Sequence, residues 1–189
     1  MSFPLRAGLA VLLATVAGCG AAVTSGAAEN APRAPSEDPI HLRLVTTDGH
    51  VVELADQRGG LVLLFVLATY DGLSQAAVRP VSRFTRAAED TVVLGVVAER
   101  DAASFAPIYA DTLAPPYTVV YDPDETITGG TSDLGELPGV PTFYMIDAHG
   151  EISDRRTGYL TEEELFSMRD RARGHGGIVT APATTTTSP

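Results

Sequence analysis

The sequence predicts an α/β sandwich in which helices flank a mixed central β-sheet. Residues 61–68 form an unbroken apolar run, which is typical of a strand buried on both faces of a sheet. Strand and helix patterns then alternate along the chain, and the series closes with two strands around a turn and a last helix. The chain has 189 residues, of which 44% are hydrophobic, so one domain with tails is expected.

The first half of this domain follows from local patterns. Residues 41–45 and 51–54 alternate polar and apolar side chains around a turn at Asp48, which predicts a β-hairpin. Apolar residues at three- and four-residue spacing predict a helix over 73–89, in which Pro80 predicts a kink or a break because it lacks a backbone N–H. The elements that follow are a strand over 92–98, a helix from Asp101, which can cap it, to about Tyr109, and a strand over 118–121.

The second half begins after a long loop. Residues 142–147 and 151–155 predict two strands around a turn. Thr161 and Glu164 then match a capping box, in which each side chain bonds the backbone N–H of the other residue. The box predicts that a last helix begins here and runs to about Arg173.

Composition excludes several classes of function. The formal net charge is −11 and the sequence pI is about 4.6, so nucleic acid is not an expected partner, and charge alone does not hold the protein to anionic lipid. Cys19 is the only cysteine, which rules out an intrachain disulfide and a cysteine-based zinc site. The four histidines are scattered, and neither a metal nor a cofactor is expected.

The amino terminus has the pattern of an export signal. One positive charge precedes an apolar run that is about half the ~20 residues of a membrane-spanning helix. The run ends in Val16-Ala17-Gly18-Cys19, which resembles the lipobox of bacterial lipoproteins. This resemblance implies that residues 1–18 are a signal peptide and that acylated Cys19 anchors the mature protein in a membrane. The alternative is that Cys19 is a small apolar residue inside an uncleaved or an ordinary signal peptide.

The resemblance and the composition together divide the chain. Residues 19–39 are rich in Ala, Gly, Ser, Pro and Glu, which indicates a flexible tether. The domain is expected over 40–173, and the Thr-rich tail 174–189 is expected to be disordered. By resemblance to enterobacterial sorting rules, Gly20 after the cysteine favours the periplasmic side of the outer membrane within a bacterial cell envelope.

Three segments resemble the thioredoxin superfamily, especially its membrane-tethered TlpA and ResA type and the related AhpC/TSA redoxins. Residues 61–75 are similar to the buried strand and the start of the helix that carries the Cys-x-x-Cys motif. Gly139-Val140-Pro141-Thr142 and the strand and turn after it are similar to the segment with the cis proline, and residues 158–164 to the lead into the last helix. The resemblance implies a thioredoxin-like fold and thiol oxidoreductase or peroxidase ancestry.

The resemblance places Asp71 and Ser74 where the family has its two cysteines. A low-pKa thiolate at a helix N-terminus attacks a disulfide, and the second thiol resolves the mixed disulfide. A carboxylate cannot do the first step, and a serine hydroxyl stays protonated near neutral pH unless a base activates it. We therefore expect neither thiol–disulfide exchange nor cysteine-dependent peroxidase activity.

Each candidate site residue has two interpretations. Asp71 and Ser74 are either a remodelled catalytic pair or, as we favour, a helix cap and a small solvated residue of the first turn. The loop of Val140 and Pro141 either presents its backbone to an extended peptide or only fixes the turn beside the helix. Tyr70 and Tyr144 either line a shallow groove there or belong to the core. The candidate binding residues are Tyr70, Asp71, Ser74, Val140 and Pro141.

Three functions are compatible with these residues. The preferred one is a binding module that holds a peptide or a protein of the cell envelope without redox turnover. The alternative is an enzyme that uses Asp71, Ser74 and a histidine brought close by folding. The third is a redox protein whose cysteines come from a partner chain.

Overall fold

The computed structural model describes residues 39–175. The predicted signal peptide, Cys19, and nearly all of the predicted tether and tail lie outside them. The elements in chain order are β1 (Arg43–Thr46), β2 (Val51–Glu53), a short 3-10 helix (Leu54–Gln57), β3 (Leu61–Leu67), α1 (Gly72–Ala87), β4 (Thr91–Val97), α2 (Ala102–Leu113), β5 (Thr118–Tyr121), β6 (Thr142–Ile146), β7 (Ile152–Thr157) and α3 (Glu162–His175). This confirms the predicted fold class and element order.

The seven strands form one mixed sheet in the order β2-β1-β5-β4-β3-β6-β7. β3 runs parallel to β4, and β4 runs parallel to β5, whereas β6 is antiparallel to β3 and to β7. Because of these directions, β3, β4 and β5 end where β6 begins. We call this edge of the sheet the carboxyl edge, and the turn that leads from β3 into α1 lies there.

The two faces of the sheet are covered differently. Residues of α1, α2 and α3 share one core cluster with alternate side chains of β3 and β6, including Phe65 of β3 and Phe143 of β6, whose rings stack 5.1 Å apart. The other face packs against irregular segments, which contribute Ile40, Leu54 and Leu134. Within residues 39–175, no helix has the length and apolarity that crossing a membrane requires.

Three details of the local predictions differ from the structure. Of the kink or break predicted at Pro80, the break does not occur: α1 continues through Pro80, since the buried face around Val81 and Phe84 holds the helix although Pro80 donates no hydrogen bond. Asp101 precedes α2 but does not cap it with its side chain, because its backbone is left-handed, with φ 59° and ψ 31°. α2 also extends one turn beyond Tyr109, to Leu113.

The predicted capping box at α3 is present. The Glu164 carboxylate accepts a hydrogen bond of 2.8 Å from the Thr161 backbone N–H, and the Thr161 hydroxyl oxygen accepts one of 3.3 Å from the Glu164 N–H. The bond from the Thr161 N–H, together with one of 2.9 Å that the Thr161 hydroxyl donates to the same carboxylate, holds the pKa of Glu164 below its ordinary value, because both favour the charged carboxylate. The last helix therefore begins where the sequence predicts.

Gly95 of β4 packs against the ring of Tyr117, which is held in place by a hydrogen bond with Tyr109. We therefore expect Gly95→Ala to destabilise the fold by about 1–3 kcal/mol. An added Cβ would lie 2.6 Å from Cε2 of Tyr117, whose hydroxyl is 2.8 Å from that of Tyr109. Thermal unfolding followed by circular dichroism measures the effect. Gly60→Ala is the matched control, because a Cβ there meets only a carbonyl oxygen at 3.8 Å. Equal stability of the two variants would contradict the expectation.

Candidate functional site

Asp71 caps the start of α1 at the carboxyl edge. Its backbone is extended, and its side-chain Oδ2 accepts a hydrogen bond of 2.7 Å from the Ser74 N–H. The carboxylate also lies at the positive end of the helix dipole, which stabilises a negative charge. The side chain therefore performs the capping role that the sequence favoured.

Ser74 is buried, with 1% of its surface exposed, so the expectation of a solvated residue is wrong. The hydroxyl faces the sheet rather than water, since Oγ accepts a hydrogen bond of 3.4 Å from the Ala68 N–H at the end of β3. This hydrogen bond of Ser74 connects the start of α1 to the end of β3. Ser74 is poorly placed to meet a substrate in solution.

The loop before β6, residues 139–141, lies beside the start of α1, and we call it the Val140 loop. Val66 of β3 pairs with Thr142, so Pro141 continues β6 beyond the carboxyl edge, where β3 turns towards α1. The Val140–Pro141 peptide bond is cis. The Pro141 carbonyl accepts a hydrogen bond of 2.8 Å from the Gly158 N–H, which ties the loop to the segment before α3. Folding thus brings three sequence-distant segments together.

Val140 leaves both of its backbone groups free. Within residues 39–175, neither its N–H nor its C=O takes part in a hydrogen bond, and the residue is half-buried. Such groups need partners when they are covered. An extended segment laid along the loop can supply them in the manner of an added β-strand.

Exposed apolar side chains lie on the segments that meet at this loop. Tyr70 is 81% exposed in the turn before α1, Leu73 is 52% exposed in the first turn of the helix, and Tyr159 is 47% exposed one residue after Gly158. Tyr144 instead lies fully within the core, where burial raises the pKa of its phenol although Arg155 opposes the shift. Of the two tyrosines considered for a groove, only Tyr70 is placed to line one.

Glu99 is a site residue that the sequence analysis missed. It follows β4 and is only 7% exposed, and its two carboxylate oxygens accept hydrogen bonds from the Thr69 N–H (2.8 Å) and the Thr69 hydroxyl (2.7 Å). Gln75 holds the same turn from the helix side, because its amide donates to the Thr69 carbonyl at 2.7 Å. The turn that displays Tyr70 is therefore fixed on both sides.

The arrangement offers little for catalysis. His149 lies in the β6–β7 turn, at the other end of β6 from Pro141, and His50 lies in the β1–β2 turn. Among residues 39–175, no group of histidine, cysteine, aspartate and glutamate side chains is arranged to hold a metal ion. The site therefore has a capping carboxylate, a buried hydroxyl and a free backbone edge, and neither His50 nor His149 is brought to the hydroxyl.

The fold is also that of known proteins. No family model and no curated protein matches the sequence. The exposed lipoprotein thioredoxin of Streptococcus pneumoniae is 20% identical, with a TM-score of 0.59 over 69% of this chain and 98% of that one. A thiol:disulfide interchange protein of Chlorobium tepidum is 20% identical, with a TM-score of 0.61 over 75% and 99%.

A DsbF homologue from Corynebacterium diphtheriae is 16% identical, with a TM-score of 0.63 over 77% of this chain and 94% of that one. At such identities the likeness concerns the fold. The mixed sheet, the position of the cis proline beside the start of α1 and these structural neighbours show that the chain has a thioredoxin-like fold.

Proposed function

We propose that this protein is a lipid-anchored, thioredoxin-like binding module of the bacterial cell envelope that holds an extended segment of a partner protein without thiol–disulfide exchange. The observation that carries the proposal is the unpaired backbone of Val140 beside exposed Tyr70 and Leu73. A thioredoxin-like fold thus keeps a surface for a peptide chain where the reactive sulfur atoms are missing.

The lack of thiol chemistry follows from the residues themselves. Neither Asp71 nor Ser74 can form a mixed disulfide, and the one cysteine of the chain, Cys19, precedes the domain. The carboxylate of Asp71 is engaged by the Ser74 N–H, and the Ser74 hydroxyl is buried. These contacts support a structural role for both residues and give no support to the alternative, an enzyme built on them.

Binding is supported by the form of the surface. A segment that pairs with the Val140 backbone places alternate side chains towards the apolar residues around the loop. Tyr70, Leu73 and Tyr159 offer apolar area that is already exposed, so binding removes it from water. The rigid turn at Thr69 keeps that surface in place, which lowers the ordering cost of binding.

The position of Ile40, at the start of the domain, is compatible with an anchor at Cys19. The Ile40 N–H donates a hydrogen bond of 3.0 Å to the Gly150 carbonyl in the β6–β7 turn, at the other end of β6 from Pro141. A tether attached there leaves the carboxyl edge turned away from the attachment point. We place the anchor in the outer membrane, on its periplasmic side.

A library of random peptides displayed on phage tests the binding function. We expect the full-length chain in detergent to enrich peptides that no longer bind after Tyr70→Ala with Leu73→Ser, since both side chains are exposed and their loss leaves the core intact. Gly60→Ala serves as the unaffected comparison. Failure to enrich any peptide, or equal capture by the double variant, would contradict the proposal.

Cell fractionation tests the anchor separately. We expect Cys19→Ser to remove acyl labelling and to shift the protein out of the membrane fraction, because acyl chains provide the proposed attachment. Ser25→Ala in the same region is the matched control. A Cys19→Ser protein that stays with the outer membrane would contradict lipid anchoring while leaving the binding function open to the phage test.

A further inference from the structure

Two of the exposed side chains near the Val140 loop are tyrosines, Tyr70 and Tyr159. Tyr70 lies in the turn before α1 and Tyr159 follows the Gly158 that bonds Pro141, and their side chains are 81% and 47% exposed. The face of an aromatic ring carries negative electrostatic potential, so it attracts the guanidinium of arginine and the ammonium of lysine. The rings therefore favour cationic side chains over anionic ones.

Carboxylates at the same edge have no partner. Asp101, Glu136 and Glu163 are exposed, and their side chains make no hydrogen bond or ion pair with the rest of residues 39–175. Asp101 lies two residues after Glu99, which contacts the turn before Tyr70. Glu136 leads into the Val140 loop, and Glu163 lies at the start of α3, four residues after Tyr159.

Basic residues are scarce in this part of the chain. No lysine or arginine occurs between Arg100 and Arg155, a stretch that includes α2, β5, β6 and the whole Val140 loop. Arg100 is exposed and adjoins Asp101 in the chain, and Arg156, in β7, lies 3.3 Å from Asp154, which also pairs with Arg171. The few arginines near this edge therefore only partly offset the negative charges of Asp101, Glu136 and Glu163.

We propose that the segment held at this site is cationic, an extended peptide whose arginine or lysine side chains lie over Tyr70 and Tyr159 and near Asp101, Glu136 and Glu163. This rests on the proposed function and names its partner by chemistry. Aromatic rings and unpaired carboxylates that flank one free backbone edge are complementary to a chain with alternating basic and apolar residues.

Three synthetic peptides test the charge preference. They share one alternating apolar sequence and carry arginine, glutamine or glutamate at the remaining positions. Fluorescence anisotropy with the full-length chain in detergent, at about 0.15 M salt, gives each Kd. We expect the arginine peptide to bind tightest and the glutamate peptide weakest, with the advantage of arginine over glutamine shrinking as salt rises.

Paired variants locate the effect. We expect Asp101→Asn with Glu136→Gln to weaken the arginine peptide by about three- to tenfold and to leave the glutamine peptide unchanged. Asp111→Asn with Glu89→Gln is the control, since it removes the same two charges from exposed positions away from the carboxyl edge. Tyr70→Phe should retain the arginine preference and Tyr70→Leu should reduce it.

The outcomes separate this inference from the proposed function. Equal binding of the arginine and glutamine peptides, or equal effects of the two paired variants, would overturn the cationic preference while peptide binding stands. Tighter binding of the glutamate peptide would overturn it as well. If none of the three peptides binds, both the inference and the proposed function fail.

Discussion

Asp71→Cys with Ser74→Cys is expected to convert the protein into a disulfide reductase. The backbone already places residue 71 at the N-cap of α1 and residue 74 in its first turn, where the helix terminus stabilises a thiolate. The thiolate at position 71 attacks a substrate disulfide, and the thiol at position 74 resolves the mixed disulfide and leaves the enzyme oxidised. Dithiothreitol then supplies the two electrons that restore the dithiol.

Insulin reduction in dithiothreitol measures this gain. We expect the unmodified chain to leave the uncatalysed rate unchanged and the double variant to raise it clearly. Loss of the Asp71 cap costs about 1 kcal/mol of stability, which circular dichroism can follow. Cys19→Ser is added to both proteins, so that no other thiol contributes.

Two control variants show whether any gain in activity comes from both cysteines. Ser74→Cys alone lacks the attacking thiol at the exposed N-cap, so it should stay inactive, and Asp71→Ala with Ser74→Ala should fold and stay inactive. A double cysteine variant that folds, forms its disulfide and yet reduces nothing would show that the groove beside Pro141 no longer admits a disulfide substrate. That result would contradict the thioredoxin-like nature of the site, although not of the fold.

The elements of this fold are largely predictable because its central strands, such as β3 and β6, are buried on both faces. The apolar run of β3 and the alternation of strands and helices predict the fold class and the order of the elements without any long-range information, whereas the order of the strands in the sheet comes from the structure. Asp101 shows where local reasoning stops. An aspartate before a helix is expected to cap the helix with its side chain. The backbone of Asp101 is left-handed, however, because of how the chain turns after β4, and no local sequence pattern predicts that turn.

The candidate site is less predictable because contacts between distant residues define it. Glu99 belongs to no motif in the sequence, and only its hydrogen bonds to Thr69, thirty positions away, reveal its role. Ser74 reads as a surface residue of a first helical turn, yet the close approach of α1 to the end of β3 buries it. Tyr70 and Tyr144 are of one residue type, and their burial differs because Tyr144 lies within a central strand.

Glu99→Ala is expected to loosen the turn that carries Tyr70 and to destabilise the protein by about 1–3 kcal/mol. The substitution leaves the Thr69 N–H and hydroxyl without the acceptors that Glu99 supplies at 2.8 and 2.7 Å. Amide hydrogen exchange at Thr69 should accelerate by roughly tenfold or more, since each 1.4 kcal/mol of lost protection corresponds to about a factor of ten. Exchange measured by NMR, together with thermal unfolding, tests both effects.

Glu99→Gln separates hydrogen bonding from charge. A glutamine oxygen can still accept from the Thr69 N–H, and its amide can donate to the Thr69 hydroxyl oxygen, so exchange at Thr69 should stay near that of the unmodified chain. Thr69→Val removes only the hydroxyl bond and should fall between the two. If glutamine behaves like alanine, the negative charge rather than the pair of hydrogen bonds holds the turn, and if alanine has no effect, Glu99 does not position it at all.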